Sequence, residues 1–406
     1  MLVQSPVAGD SRVLREAEAL AAAGYAVHVV GRGVPEGFAG PDGVSVDSVG
    51  RGSGLRAGGT PGSRPGPAVV RPVLDAARWL LLPEHRARVE RAWRDGAGEL
   101  VRAHIREHGA PDVVHAHDFN TLELAAQVAT RTGAALVYDS HEYWRGRARH
   151  GRPEPLRRRR AAAREDTLLP VADLVLTVSD GIAERLRGSG ARRVVVVRNS
   201  FPARPAAGQL PSRPSGLVYA GRIGPGRDLE TLVDSAPGLA AVGVRPVVVG
   251  PADHDHLARL RARAAGKPVD LRPEPLPLDE VDEVYRREGL AVVTLDDSCE
   301  NHRLALPNKL FHAVRAGIPV IAADLPELSK AVRGQGIGAT YRPGDAASLT
   351  AAVAEVADRY VDALAAVAAV QELYRWERDA AVLAEAYDRL PLRTAKVAAP
   401  AEGAAR

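Results

Sequence analysis

Short runs of aliphatic residues recur along the whole chain, each followed by a segment whose apolar positions have helical spacing. We predict strands at residues 2–4, 26–30, 112–116, 135–138, 174–178, 194–197, 217–219, 246–249, 269–271, 290–295 and 319–322. Strands that alternate with helices form parallel sheets covered on both faces. The pattern therefore predicts an α/β protein.

The alternation is interrupted at residues 199–215, a segment rich in Pro, Ala and Gly that contains four prolines. Such a composition is typical of an interdomain linker. We predict two doubly wound, Rossmann-like domains facing a cleft, at residues 1–198 and 216–375. A closing helix at 376–390, a disordered tail at 392–406 and a mobile loop at 50–72 complete this prediction. Ligands of such sheets bind at the carboxyl ends of the strands.

The composition narrows the class of protein further. The chain has 406 residues and one cysteine, Cys299, which excludes an internal disulfide and a cysteine metal cluster. No run reaches the roughly 20 apolar residues of a membrane span, and no apolar signal segment follows Met1. We expect a cytoplasmic protein with at most peripheral membrane contact.

The segment 145–164, from Arg145 at its start to Arg164 at its end, contains nine arginines and one glutamate. One interpretation is the solvated face of a surface helix. The other is attraction to an acidic acceptor or to an anionic membrane surface. No aromatic residues interleave with these arginines as stacking platforms for bases, so we expect no nucleic-acid partner.

Residues 301–321 predict a polar loop, a short helix, a glycine stop and a buried strand. Pro307 suits the first helical position and Gly317 the residue after the last. The start of such a helix offers free amide groups and a positive dipole end, which can bind a phosphate. Asn308 and Lys309 stand at this start, and the lysine would neutralise the phosphate. The alternative is an ordinary corner of a parallel sheet.

The loop after residues 217–219 contains glycines and two arginines, Arg222 and Arg227. Glycine lets a backbone approach an anion closely, and fixed cations stabilise the negative charge of a diphosphate. Together with Lys309, the arginines could converge on one pyrophosphate without a divalent ion. The glycine spacing differs from that of a dinucleotide fingerprint, which argues against an oxidoreductase.

Polar side chains also follow strands of the first domain. His115 and His117 share one face of a strand by its two-residue alternation. We expect one of them to reach the cleft and His115 to be buried. With Asp118 they could instead hold a metal ion, although no helical histidine pair supports that alternative.

Two other loops of the first domain are candidates for the cleft. His141 and Glu142 follow the next strand, and they either line the cleft or fix the neighbouring helix through hydrogen bonds. Gly9 lies in the loop after the first strand, where it would allow close approach of a ligand.

The Gly-Arg loop and the Pro-Asn-Lys-Leu-Phe motif, in this order, resemble retaining GT-B glycosyltransferases of the family-4 type. The resemblance runs from Asp10 to Glu377. It implies metal-independent transfer of a hexosyl group from a nucleotide diphosphate sugar, with UDP favoured, to a hydroxyl acceptor. It implies no cofactor besides this donor, and a closing helix that crosses back onto the first domain.

The resemblance also implies roles for the candidate residues. The catalytic residues would be His117, near the donor sugar, together with Arg222 and Lys309. The acceptor side would include the residues Asp118, His141 and Glu142, and the donor diphosphate would contact Gly9, Arg222, Arg227, Asn308 and Lys309.

This chain departs from the family pattern at three positions. Many relatives carry glutamates where this chain has Leu304 and His312, and the second glutamate binds the donor ribose. A neutral imidazole at His312 accepts one hydrogen bond but lacks the fixed charge. Asp228 stands where relatives often have glycine. Two further hypotheses therefore stay open, a catalytically silent GT-B subunit and a nucleotide-sugar epimerase.

Overall fold

The computed structural model describes residues 1–35, 37–50, 71–147, 155–204 and 208–392. For residues 71–89 and 155–157 it describes the backbone only. Nearly all of the loop expected at 50–72, and the tail expected at 392–406 beyond its first residue, lie outside these ranges. Within the described ranges, no helix combines the length and hydropathy that a membrane span needs.

The first sheet has seven strands in the order β3-β2-β1-β4-β5-β6-β7, and its neighbours from β3 to β5 run parallel. The strands are β1 Leu2–Pro6, β2 Val27–Arg32, β3 Val44–Val49, β4 Val113–His117, β5 Ala135–Ser140, β6 Leu174–Thr177 and β7 Val194–Val196. The helices between them are α1 Ser11–Ala22, α2 Arg71–His108, α3 Phe119–Thr132, α4 Pro155–Leu168 and α5 Asp180–Gly188.

The second sheet has six parallel strands in the order β10-β9-β8-β11-β12-β13. These strands are β8 Gly216–Ala220, β9 Arg245–Val249, β10 Asp270–Arg272, β11 Gly289–Val293, β12 Val320–Ala323 and β13 Gly338–Tyr341. Its helices are α6 Leu229–Asp234, α7 Ala236–Ala241, α8 His254–Ala264, α9 Leu278–Glu288, α10 Glu300–Leu304, α11 Asn308–Ala316, α12 Pro326–Val332, α13 Ala346–Asp358, α14 Tyr360–Val370 and α15 Trp376–Asp388.

Both sheets follow the doubly wound strand order, which confirms the predicted α/β class. In the second sheet the order reverses between β8 and β11, and ligands of this fold bind outside the carboxyl ends of the strands at such a point. The loop after β8 carries Arg222 and Arg227, and the segment after β11 leads to α11. The topology therefore brings the two predicted phosphate-binding segments to one edge.

The chain packs into two compact units. The first contains the described residues of Met1–Asp139, Thr167–Val175 and the chain from Ala386, and the second contains Ser140–Asp166 and Leu176–Glu385. Residues at the end of α15 thus group with the N-terminal residues. The domain limits at 199–215 stay a prediction.

Three local predictions need correction. Strands β3 and β13 were not predicted, and both lie at sheet edges. The expected polar loop before α11 contains the short helix α10. Pro307 is the residue before the helix, with φ −66° and ψ 148°, rather than its first residue. Gly317 ends α11 in the left-handed conformation, with φ 81°, which confirms the predicted glycine stop.

Candidate active site

Helix α11 is anchored by its apolar face. Leu310, Phe311 and Val314 are buried in the core of the second sheet, and this packing fixes the helix start in place. Within the described structure, no side chain caps this start and no acidic residue stands in its first turn. The amide groups and positive dipole end of α11 are thus open to an anion.

A cavity of about 730 Å³ lies at the start of α11, and all of its lining residues belong to the second unit. Seven of the residues singled out in the sequence line it, namely His141, Glu142, Arg222, Arg227, Asn308, Lys309 and His312. The structure therefore brings both segments of the predicted donor site, and two acceptor-side candidates, to one cavity.

The cavity carries positive charge without local compensation. Among the described residues, no carboxylate lies within ion-pair distance of Arg222, Arg227 or Lys309, whereas the lining residue Glu142 is paired with Arg147 at 2.7 Å. Uncompensated cations around a helix start attract anions. This arrangement suits a ligand with several negative charges, such as a diphosphate.

Lys309 is held in a poorly solvated position. Burial, reinforced by the positive charge of Arg227, lowers the pKa of Lys309 to about 7. Its Nζ lies 4.9 Å from the centre of the Tyr219 ring, whose face attracts a cation. A bound phosphate would favour the protonated amine, so this lysine responds to the charge of a ligand.

Gly221 makes room for Lys309. Its φ is 149°, and a Cβ at this position would lie 2.5 Å from Lys309 Cε and 2.8 Å from Nζ. Side chains rarely adopt such a backbone conformation, and the space is already taken. The glycine predicted to admit an anion therefore also admits the amine that would bind the anion.

Asp228 occupies the left-handed region, with φ 49°, where relatives often place glycine. Its Oδ2 accepts hydrogen bonds from Tyr341 Oη at 2.8 Å and from the Gly344 amide at 3.2 Å. Its Oδ1 accepts one from Thr231 Oγ1 at 2.5 Å. Burial raises the pKa of Asp228. The departure from glycine is therefore supported by specific partners beside the Arg227 loop.

His115 and His117 are both buried in the first unit. Burial was expected of His115, and the expectation that the other histidine reaches the cleft stays a prediction. His117 Nδ1 hydrogen-bonds Asp139 Oδ2 at 3.2 Å, and His115 Nδ1 hydrogen-bonds Tyr387 Oη at 2.6 Å. The two rings stack with centroids 4.2 Å apart. Burial lowers the pKa of His115 well below its usual value.

The metal alternative can be tested on this cluster. The ligand atoms of Glu16, His115, His117 and Asp139 lie within 4.8 Å of one another, whereas Asp118 is not part of the group. The Arg12 guanidinium lies 2.9 Å from Glu16 Oε1 and 2.7 Å from Asp139 Oδ1. Because Arg12 already compensates both carboxylates, the group fits a buried ion network better than a metal site.

The other first-unit candidates, Gly9 and Asp118, do not line the cavity of the second unit. Gly9 ends a short 3-10 turn before α1. Asp118 has φ 66°, and its amide donates to the Asp139 carbonyl at 2.9 Å. The roles assigned to these two residues and to His117 stay predictions.

Sequence reasoning missed several residues that shape the site. Three residues distant in sequence from a candidate side chain contact it, namely Tyr219, Asp139 and Asp282. Arg12 in turn pairs with Asp139. Asp139 lies two residues before the candidate His141, and this proximity was the one available signal for it in the sequence.

Two family models match the chain. The glycosyl transferase 4-like domain matches residues 9–200, and the glycosyl transferases group 1 domain matches residues 214–359. Together the two models span most of the chain, and they cover the fold and the site described above. The chain belongs to the family-4 type of GT-B glycosyltransferases, and it is a glycosyltransferase.

Two similar curated proteins are also named as enzymes that transfer sugars. The chain is 27% identical over 286 residues to a glycogen synthase of Mycobacterium tuberculosis, covering 66% of this chain and 67% of the relative. It is 29% identical over 313 residues to a D-inositol 3-phosphate glycosyltransferase of Streptomyces scabiei, covering 69% and 68%.

Solved structures share the fold. The sucrose-phosphate synthase of Thermosynechococcus elongatus aligns with a TM-score of 0.68 at 18% identity, covering 95% of this chain and 98% of that one. HepE from Anabaena, solved in complex with UDP, aligns with a TM-score of 0.64 at 15% identity, covering 96% and 99%. This likeness shows the two-domain α/β architecture.

Proposed function

We propose that this protein is a retaining, metal-independent hexosyltransferase of the cytoplasm, using a nucleotide diphosphate sugar and a hydroxyl acceptor. The observation that carries the proposal is the group of three cations without a carboxylate partner among the described residues, at the uncapped start of α11. These charges can replace a divalent ion at a diphosphate.

UDP is the favoured nucleotide. HepE, which shares the fold, has been solved with UDP and with UDP-glucose. The cavity of about 730 Å³ has the size of a site for a ligand of this class. A small natural product, a glycan or a lipid-linked sugar would each provide the acceptor hydroxyl.

The proposed reaction uses positioning and charge rather than a protein nucleophile. The bond from the sugar's anomeric carbon to the diphosphate oxygen breaks, and the acceptor oxygen bonds to that carbon on the same face. The acceptor proton passes to the departing phosphate. Arg222, Arg227 and Lys309 would stabilise the negative charge that develops on this phosphate.

His117 is proposed to contact the donor sugar. Its Nδ1 is engaged by Asp139, and its buried Nε2 has no hydrogen-bond partner among the described residues. A buried nitrogen of this kind is costly unless a ligand satisfies it. His141, Glu142 and Asp118 are proposed for the acceptor side, and Gly9 for close approach to the donor.

Peripheral membrane contact is a secondary proposal. On α4, Arg158, Arg159, Arg160 and Arg164 are exposed, whereas Arg145 pairs with Glu165 at 3.0 Å. The intervening residues 148–154 lie outside the described ranges. Binding to vesicles rich in anionic lipid, lost at high salt, would support this contact; equal binding to neutral vesicles would contradict it.

Calorimetric titration with UDP, GDP and ADP in EDTA tests the main proposal. We expect one diphosphate to bind without metal, and Arg222→Ala to weaken that binding by about 1.5–3 kcal/mol, the scale of a charged hydrogen bond. Normal binding by Arg222→Ala would show that the site is misassigned. Binding without sugar transfer to any acceptor would favour the silent-subunit hypothesis.

A further inference from the structure

Residues 198–203, hereafter the anchored segment, follow β7 and are attached to the beginning of α15. The Trp376 amide donates to the Phe201 carbonyl at 2.8 Å, and the Ala203 amide donates to Glu377 Oε1 at 3.1 Å. The residues in these contacts all belong to the second unit. The backbone of the anchored segment is therefore held by a helix that is distant from it in sequence.

A buried carboxylate on α15 adds side-chain contacts to this attachment. Asp379 is fully buried; its Oδ1 accepts a hydrogen bond from Arg198 Nε at 3.0 Å, and its Oδ2 accepts one from Ser200 Oγ at 2.5 Å. A buried carboxylate is costly unless a charge compensates it and hydrogen bonds satisfy it. The two partners meet both conditions, and they flank Asn199 in the sequence.

The anchored segment also forms part of the wall of the cavity at the start of α11. Asn199 and Phe201 line this cavity together with Asn308, the first residue of α11. The Phe201 ring packs against the His312 ring, with centroids 5.0 Å apart. The anchored segment therefore connects α15 with α11 through contacts on both helices.

One hydrogen bond joins the anchored segment to the helix start directly. Asn199 Nδ2 donates to Asn308 Oδ1 at 3.2 Å. A side-chain amide has one acceptor oxygen and one donor nitrogen, and this contact engages the oxygen of Asn308. The nitrogen, with its two protons, is then the group that Asn308 offers to a ligand in the cavity. A diphosphate is bound by such donors, whereas the opposite orientation of the amide would present an oxygen that repels it.

We infer that Asn199 and Asp379 are positioning residues of the donor site. Asp379 fixes the anchored segment to α15, and Asn199 on that segment orients the Asn308 amide so that its Nδ2 faces the diphosphate. Asn308 contacts the ligand, and the other two residues act through it. The inference rests on the proposed function, and it makes the donor site depend on a carboxylate of α15.

Variants of the two asparagines test the orientation of the amide. UDP affinity is measured by calorimetry in EDTA for the wild type, Asn199→Ala, Asn308→Ala and the double variant. We expect each single variant to weaken UDP about three- to tenfold, the scale of one hydrogen bond, and the double variant to bind no more weakly than Asn308→Ala. Additive losses, or an unchanged affinity in either single variant, would overturn the role of Asn199.

A matched control for Asp379 lies elsewhere in the second unit. Glu288 is also buried and also contacts an arginine and a serine, since its carboxylate accepts from Arg245 Nη2 at 3.0 Å and from Ser215 Oγ at 3.3 Å. None of these three residues lines the cavity. Asp379→Asn should weaken UDP by about the same factor as Asn199→Ala, whereas Glu288→Gln should lower the melting temperature and leave UDP affinity unchanged. Equal UDP affinities of Asp379→Asn and Glu288→Gln would overturn the positioning role of Asp379.

Ser200→Ala covers the case in which Asp379→Asn does not fold, which thermal unfolding detects. It removes one hydrogen bond to Asp379 and leaves the ion pair with Arg198, so it should weaken UDP by a smaller factor. Addition of Asn199→Ala to either folded variant should weaken UDP less than it does in the wild type. Normal UDP binding by Ser200→Ala, or an undiminished effect of Asn199→Ala, would show that the carboxylate does not act through Asn199.

Lys309→Met separates failure of this inference from failure of the proposed function. If UDP binds in a Lys309-dependent manner but the Asn199 and Asp379 variants bind it normally, the positioning role is wrong and the diphosphate site stands. If UDP does not bind the wild type, or Lys309→Met binds it normally, the proposed function and the inference both fail.

Discussion

The donor site depends most on Lys309, because the charge of this lysine changes with pH near neutrality. A lysine in water stays protonated far above neutral pH, but burial and the nearby Arg227 lower the pKa of Lys309 to about 7. The free protein near neutral pH is therefore a mixture of charged and neutral lysine. A diphosphate binds the charged form better, so binding and protonation are linked.

This linkage gives a pH-dependent affinity with a defined sign. Below pH 7 the lysine is already charged and binding takes up no proton at this site. Above pH 7 each binding event must first protonate Lys309, so UDP affinity should fall by up to about tenfold per pH unit. Calorimetry at pH 7–9 in two buffers of different ionisation enthalpy measures the proton uptake directly.

Lys309→Arg is the matched control, because arginine stays charged over this range. Its UDP affinity should be nearly independent of pH between 7 and 9, with little proton uptake. The same fall in affinity in Lys309→Arg and in the wild type would contradict the assignment to Lys309.

Substitution of Gly221 is the second change for which we expect a specific effect on UDP binding. A Cβ there would lie 2.5 Å from Lys309 Cε, at a φ of 149°. Gly221→Ala should therefore displace the amine, weaken UDP binding about tenfold or more, the scale of a lost charged hydrogen bond, and lower the melting temperature. Gly243→Ala is the control, since Gly243 has φ 77° with open space around its Cβ position. That variant should lose stability but keep its UDP affinity; equal losses of affinity would show that strain alone is responsible.

At the scale of elements, hydrophobic periodicity predicted most strands, because central strands of parallel sheets are continuous buried runs. It failed at the edge strands β3 and β13, although it predicted the edge strands β7 and β10. β3 alternates Val with Ser and Asp, and β13 has four residues including Gly338 and Thr340. The motif residues of α11 were predictable from local helix chemistry. The pairing of His312 with Asp282, thirty residues earlier, was not, because helix packing rather than local sequence brings them together.

The start of α6 provides a test at this scale. Asp228 combines a left-handed backbone with acceptors for Tyr341, Gly344 and Thr231. Asp228→Ala should lower the free energy of unfolding by about 2–3 kcal/mol, because it leaves the buried hydroxyls of Tyr341 and Thr231 without their acceptor and because alanine tolerates a left-handed backbone less well than aspartate. Asp228→Asn should cost less, since Asn tolerates this conformation and keeps one acceptor oxygen.

Denaturant unfolding measures both Asp228 variants, and Asp228→Gly separates the two causes. Glycine relieves the backbone but removes all three hydrogen bonds. An Asp228→Gly variant as stable as the wild type would show that the hydrogen bonds only offset the cost of the left-handed backbone, and a less stable variant would show that they contribute more than this cost.

For the whole molecule, the confinement of the cavity to the second unit has a measurable consequence. Every residue that lines the cavity belongs to the second unit, including His141 and Glu142 from the chain segment after β5. A ligand that binds only the folded state stabilises by about 2.7 kcal/mol at 100 times its Kd. This stabilisation should therefore be largest in the second unit, which contains Arg222, Arg227 and Lys309.

Hydrogen exchange with and without UDP tests this expectation peptide by peptide. We expect protection to be strongest at the start of α11 and in the loop after β8, where backbone amides and the three cations face the cavity. Lys309→Met should abolish this protection while leaving exchange in the first sheet unchanged. Protection confined to residues of the first unit would mean that the diphosphate binds near His117 instead, and the role of the α11 start would have to be abandoned.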